Sequence, residues 1–187
     1  MKRKECESKR GLVIAVSGHH GSGRSTHAEK LAEAFGLRYI SSGTVFRQMA
    51  EERGMSLEEM SRLTDEDPDL DKLIDERARE ETREGGIVLD ATLSGWMTID
   101  PDIKIFLTTP FEARVRRIAE REGLSLEEVR RETFVRSESE RERFMRYYGI
   151  DITDLTVYDV VLNTDLYEAE GTSRILKRVV EEYHAVR

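Results

Sequence analysis

Gly18-His19-His20-Gly21-Ser22-Gly23-Arg24-Ser25 places three glycines ahead of a cation and a hydroxyl. Glycines let successive backbone N–H groups turn toward one centre and cradle phosphate oxygens, and a helix opening near Gly23 aims its positive end there. The string fits G-x-x-x-x-G-K-[ST] with Arg24 in the lysine position. On that reading, residues Gly18 to Thr26 hold the β- and γ-phosphates of a nucleoside triphosphate. Ser25, with Thr26 as second choice, offers its hydroxyl to Mg²⁺. Arg24 is expected to clamp the phosphates with altered geometry, because a planar guanidinium does not interchange with an ammonium. The competing reading is a loop that binds nucleotide and turns it over poorly. His19 and His20 lie in the loop, where an imidazole can donate to a phosphate. With His27 and His184 they lack metal-ligand spacing and read as ordinary polar residues.

These groups act together only if a strand delivers Gly18 and a helix leaves from Gly23. Leu12–Ser17 is a short apolar run, and Gly23–Phe35 reads as a helix stopped by Gly36. Further strands are expected at Arg38–Ser41, Gly86–Asp90, Ile103–Thr108 and Asp159–Asn163. Between and after them lie charged helical stretches, among them Phe111 to about Glu122 behind Pro110 and about Gly171 to Tyr183. The alternation predicts an α/β fold, a five-stranded parallel sheet with helices on both faces in a three-layer sandwich. Two stretches exceed the minimal pattern, residues 43–84 and 123–150. Each contains a similar capping box, Ser56-Leu57-Glu58-Glu59 and Ser125-Leu126-Glu127-Glu128. The echo has no longer period, so it reads as shared capping chemistry rather than a repeat. Residues 1–187 are therefore read as one domain with two helical insertions, and residues 1–10 as a flexible tail.

A net charge of −8 excludes a generally basic nucleic-acid coat, and no aromatic–basic interleaving offers a polymer a track. Within this acidic chain 23 Arg stand against 7 Lys, a bias that suits bidentate phosphate contacts or else reflects genomic base composition. The distribution favours phosphate. Residues 114–146 hold 10 Arg and 8 Glu, whereas 43–84 hold 7 basic and 14 acidic residues, so the cations cluster locally. Cys6 alone excludes a disulfide framework and a cysteine metal site. No apolar run is long enough to span a membrane and MKRKECESKR lacks an apolar signal region, so a soluble cytoplasmic protein, acting as a monomer, is expected. One Asn and one Gln fit a hot habitat.

After the second strand, Ile40-Ser41-Ser42-Gly43-Thr44-Val45-Phe46-Arg47 resembles the nucleoside monophosphate kinases, where a Ser/Thr-Gly turn opens a helix and an Arg one turn in holds the acceptor phosphate. Leu89-Asp90-Ala91-Thr92-Leu93-Ser94-Gly95-Trp96-Met97 sharpens the resemblance to the archaeal type of cytidylate kinase. So do Tyr148-Gly149-Ile150-Asp151-Ile152 and Tyr158-Asp159-Val160-Val161, and the likeness runs from Leu12 to Tyr183. It implies a P-loop kinase fold, with 43–84 binding the monophosphate and 123–150 forming a lid. It also implies transfer of the γ-phosphoryl group of ATP, with Mg²⁺, to CMP or dCMP. No general base is required, since the acceptor is already anionic and catalysis is positioning and charge neutralisation.

Carried over by position, Arg47 binds the monophosphate, while Ser41 and Ser42 lie near base and sugar. Arg136-Ser137-Glu138-Ser139-Glu140-Arg141-Glu142-Arg143 resembles the lid segment. Its spacing puts Arg136, Glu140 and Arg143 on one helix face, so that the arginines converge on the transferred group and Glu140 accepts the cytosine amino group. The alternative for these charges is i,i+4 pairing on a solvated helix. Thr92 stands where the family commonly has an Arg, so an acceptor contact is missing there or supplied by Arg77, Arg79 or a lid Arg. Asp90 suits Mg²⁺ or its waters, and Trp96 suits a packing anchor. A kinase for UMP or AMP, or a nucleotide-binding protein with weak turnover, are the rival readings.

Overall fold

The computed structural model describes residues 11–186, so the expected tail at 1–10 and Cys6 lie outside the described residues. Five parallel strands form its sheet: β1 (Val13–Gly18), β2 (Arg38–Ser41), β3 (Ile87–Asp90), β4 (Ile103–Thr108) and β5 (Val160–Asn163), in the order β2-β3-β1-β4-β5. β1 is buried at every position because it is central and covered on both faces. Its neighbours keep a two-residue alternation. Val13, Ile87 and Leu89 face one layer, while Ile14, Val16, Val88, Ile103, Ile105 and Leu107 face the other.

The second face is covered by α1 (Arg24–Phe35) and α8 (Ala169–Ala185) through Ala28, Leu31, Leu176 and Val180. Gly36 ends α1 in a left-handed conformation, φ 62°, and its N–H bonds back to Ala32 and Glu33. The first face carries residues 43–84 as α2 (Ser42–Glu52), α3 (Leu57–Glu66) and α4 (Pro68–Glu81), packed through Val45, Met49, Met60, Leu70 and Ile74. α5 (Ser94–Met97) is one turn behind β3, tied to β1 by the buried Ser17 hydroxyl, 2.8 Å from that of Ser94. α6 (Phe111–Glu122) and α7 (Leu126–Tyr148) share a smaller core of Val115, Ile118, Ala119 and Val129.

The α/β sandwich agrees with the sequence reading, with small shifts at the ends. β1 extends through Gly18, and α8 begins at Ala169 rather than Gly171. The two capping boxes differ. Ser56 and Glu59 bond reciprocally, whereas Ser125 only receives the Glu128 N–H at 3.3 Å. Among the described residues no helix is long and apolar enough to cross a membrane.

Candidate active site

Parallel strands put their C-terminal ends on one edge, and the phosphate loop leaves β1 at that edge. A Cβ on Gly18 would lie 2.5 Å from the Leu107 carbonyl oxygen, so only glycine lets the loop start so close to β4. Gly23, φ 82°, caps α1 in the left-handed region. Three side chains hold the loop from behind. The Arg114 Nε donates to the His20 carbonyl at 2.8 Å and its Nη2 to Ser137 Oγ at 3.1 Å. The Thr164 hydroxyl donates to the Ser22 carbonyl at 2.8 Å, and Arg117 grips Thr164 through its hydroxyl and carbonyl at 3.0 Å each. Burial lowers the pKa of Arg114, which braces the loop against α7. His19 packs edge-on to Phe106 at 5.2 Å. Desolvation among its neighbours, then the charge of Arg114, pulls its pKa down to about 4 although much of the residue stays exposed, so it is neutral near pH 7.

Arg24 is not directed freely into the loop. Its Nε pairs with Asp90 Oδ1, and its Nη1 donates to the Gly18 carbonyl at 3.0 Å and Thr92 Oγ1 at 3.1 Å. Tyr39, on β2, donates its hydroxyl to the other Asp90 oxygen at 2.8 Å. Burial, then Asp90, pushes the Tyr39 phenol up to about 12, so it stays a donor. Among the described residues no group of three or more His, Cys, Asp or Glu side chains forms a metal cage. A loop hydroxyl with a carboxylate nearby fits Mg²⁺, which takes one or two protein ligands and otherwise waters and substrate phosphates. Ser25 and Thr26 are both exposed hydroxyls at the start of α1, and Asp90, with both oxygens engaged, fits the shell of waters better than direct ligation.

Several cavities open from this edge, and two of them share His20, Arg24 and Arg136. The first, about 320 Å³, lies between the loop from His19 to Thr26 and the α6–α7 pair, with Arg117, Arg121 and Thr133 in its wall. The second, about 280 Å³, lies between α2, α4 and α7. Ser42, Gly43, Thr92, Arg136, Glu140 and Arg143 line it, so the i, i+4, i+7 set does meet in one place. His20, Arg24 and Arg136 line both cavities. Glu140 sits at the junction, its Oε1 2.8 Å from His20 Nε2 and 3.3 Å from Arg136 Nε. Burial works against its charge, but His20 and Arg136 outweigh it and hold its pKa below 4.5. Arg143 lies over the Phe144 ring.

Other expected residues stand elsewhere. Ser41 caps α2 through the Thr44 N–H at 3.0 Å and does not line the second cavity. Arg47 is exposed outside both cavities, crossing above Gly43. Arg77 forks onto Glu52 at 2.5 Å and Arg79 faces Glu76 at 3.4 Å, so neither reaches the position beside Thr92; Arg24 does. Trp96 packs edge-on to Tyr158 at 5.5 Å, as an anchor would.

Tyr39, Arg114 and Asp75 stand out in no sequence motif, and Tyr148 belongs to a motif that assigns it no role. Asp75 and Tyr148 bond at 3.1 Å in the wall of the second cavity, beside Phe46, Ile74 and Tyr147. The apolar spacing of Leu70, Ile74 and Ala78 carries the only local signal, since it places Asp75 at the edge of a buried stripe. Arg114 differs from nine neighbouring arginines in nothing local.

Residues 17–135 match a family described as an AAA domain. A cytidylate kinase of Staphylothermus marinus is 43% identical over 173 residues, covering 92% of this chain and 98% of that one. A cytidylate kinase of Aeropyrum pernix is 46% identical over 162 residues, covering 86% and 94%. Among solved structures, a shikimate kinase from Bacteroides thetaiotaomicron aligns with a TM-score of 0.56 at 14% identity, covering 91% and 98%, a likeness of fold alone.

Proposed function

The chain belongs to the cytidylate kinase family and is a nucleoside monophosphate kinase, and from that premise we propose that it converts CMP or dCMP to the diphosphate with ATP and Mg²⁺. The observation that carries this reading is the pair of cavities meeting at His20, Arg24 and Arg136. A donor triphosphate in the first cavity and a monophosphate in the second bring γ-phosphorus and α-phosphate oxygen together at that junction. The bond from phosphorus to the β–γ bridging oxygen breaks as the acceptor oxygen bonds to phosphorus, giving ADP and the diphosphate. Mg²⁺, when bound at Ser25 and the donor phosphates, supplies charge neutralisation and fixes their orientation. The cations from the loop and α7 offset the charge brought together by two anionic substrates.

Residues 43–84 act as the acceptor insertion and α7 as the lid in this reading. Phe46, Ile74, Tyr147 and Tyr148 form an apolar slot for a flat base, and Asp75 is the carboxylate among them. An acceptor there favours cytosine, which presents an exocyclic amino group where uracil presents oxygen. Glu140, against His20 at the junction, is better placed to orient the loop and Arg136 than to read the base.

Initial rates with CMP, dCMP, UMP and AMP at equal concentration, with ATP and Mg²⁺, test the proposal. A preference for CMP or dCMP over UMP and AMP is expected; a preference for AMP of tenfold or more on the order of one pocket contact would sink it. The tie between Arg24 and Asp90 favours one second reading, a protein that binds nucleotides with little turnover. Binding of ATP and CMP without product formation would establish that instead.

A further inference from the structure

We propose that Arg24, although it belongs to the donor phosphate loop, is the clamp for the acceptor: it holds the α-phosphate of the monophosphate rather than the β- and γ-phosphates of ATP. The inference rests on the reading of the second cavity as the acceptor site. Arg24 follows Gly23 at the start of α1, but its side chain turns across the sheet edge to the end of β3. There Asp90 takes Nε, while Gly18 and Thr92 take Nη1. A guanidinium has five N–H donors. Those bonds leave both N–H groups of Nη2 uncommitted among the described residues, in a side chain that stands between the two cavities and lines the second with Ser42, Gly43 and Thr92.

Asp90 fixes this arrangement. Its side chain is 1% exposed, and among the described residues it bonds Arg24 and Tyr39. Drawing Arg24 away from β3 toward the donor phosphates would leave a buried carboxylate with the Tyr39 hydroxyl but no cation, which is much costlier than losing an exposed pair. An ammonium at residue 24 could not substitute. A compact cation with three donors cannot hold Asp90, span to Thr92 and still present a planar pair of N–H groups to phosphate. Thr92 has a short side chain that accepts from the guanidinium and leaves it room. The loop's own backbone and the end of α1 then carry the donor phosphates without help from Arg24.

The test separates the two substrates. Wild type, Arg24→Lys, Arg24→Thr and the exchange Arg24→Thr/Thr92→Arg are assayed with CMP and ATP varied independently, and ATP affinity is read by titration with a fluorescent ATP analogue. Arg24→Lys is expected to lower kcat/KM for CMP about 10- to 100-fold, the loss typical of a charge-assisted contact, with analogue affinity nearly unchanged. The exchange keeps a guanidinium beside Asp90 and should recover CMP turnover relative to Arg24→Thr. If Arg24→Lys weakens analogue binding or raises the ATP KM as much as the CMP KM, or if the exchange recovers nothing, the inference is overturned while the kinase reading stands. A wild type inactive toward every monophosphate overturns both.

Discussion

Gly95 offers a test in which local propensity and tertiary packing predict opposite signs. It lies within α5, where Gly→Ala on propensity alone would stabilise by about 0.5–1 kcal/mol. A Cβ there would fall on Tyr158 Cε1, with Cζ at 2.6 Å and Oη at 2.8 Å. Carbon atoms rest about 3.5–4.0 Å apart, so the ring must retreat by about 1 Å. It has little freedom to do so, being 8% exposed and packed against Trp96 at 5.5 Å and Phe106 at 5.1 Å. Overpacking of this kind costs about 1–3 kcal/mol, enough to reverse the helix gain. For a domain this size, each kcal/mol lowers the melting temperature by about 2–4 °C. Because Phe106 also packs on His19 of the phosphate loop, a fall in kcat should accompany the fall in Tm. Calorimetry of Gly95→Ala, Tyr158→Val and the double variant gives the coupling directly. The smaller side chain should relieve the clash, whereas Tyr158→Phe keeps the offending ring carbons and should not. A Gly95→Ala protein as stable as wild type would refute the reasoning.

Three further outcomes are expected. Asp75→Asn should reduce the preference for CMP over UMP by about 10-fold or more, the scale of a charged hydrogen bond, as measured by the ratio of kcat/KM values; equal losses with both would remove Asp75 from base recognition. Arg114→Met keeps volume but leaves the His20 carbonyl without that donor, and should destabilise by about 1–3 kcal/mol in urea unfolding while raising the KM for ATP; an unchanged KM would mean the loop is braced without it. His19 has a folded pKa near 4, below its ordinary 6.5, so the unfolded chain binds this proton first as pH falls. Stability should therefore decline from pH 6.5 toward 4, and His19→Asn should flatten that slope; identical urea midpoints for both proteins at pH 7 and 4.5 would rule the contribution out.

The strands were legible because each is a short apolar run whose alternating neighbours must be covered on both faces, and the phosphate loop was legible because its glycines serve the backbone. Sheet order was not read, since it depends on which strands meet across long separations. The candidate site divided along the same line. Arg136, Glu140 and Arg143 share a cavity because helical spacing is local, whereas Ser41 is drawn into a cap by Thr44, a competing local bond. Arg24 was read from its motif as a donor-side clamp, and its partners Asp90 and Thr92 stand 66 and 68 residues away. Nothing in the loop announces them. Asp75 was hidden among acidic residues, because only its place in the cavity wall and its bond from Tyr148 of α7 distinguish it from carboxylates in water.

α7 runs unbroken for 23 residues, about 34 Å of stiff rod. Near its start Arg130 meets Glu112 of α6 at 2.7 Å, midway Glu140 meets the phosphate loop, and at its end Tyr148 meets Asp75. A rod fastened at three stations cannot rise from one cavity while lying flat on the other. In the proposed reading both nucleotides therefore share a single gate, and the departure of ADP and of the new diphosphate is timed by the same event. Whatever stiffens that rod is then expected to slow the exit of both products together.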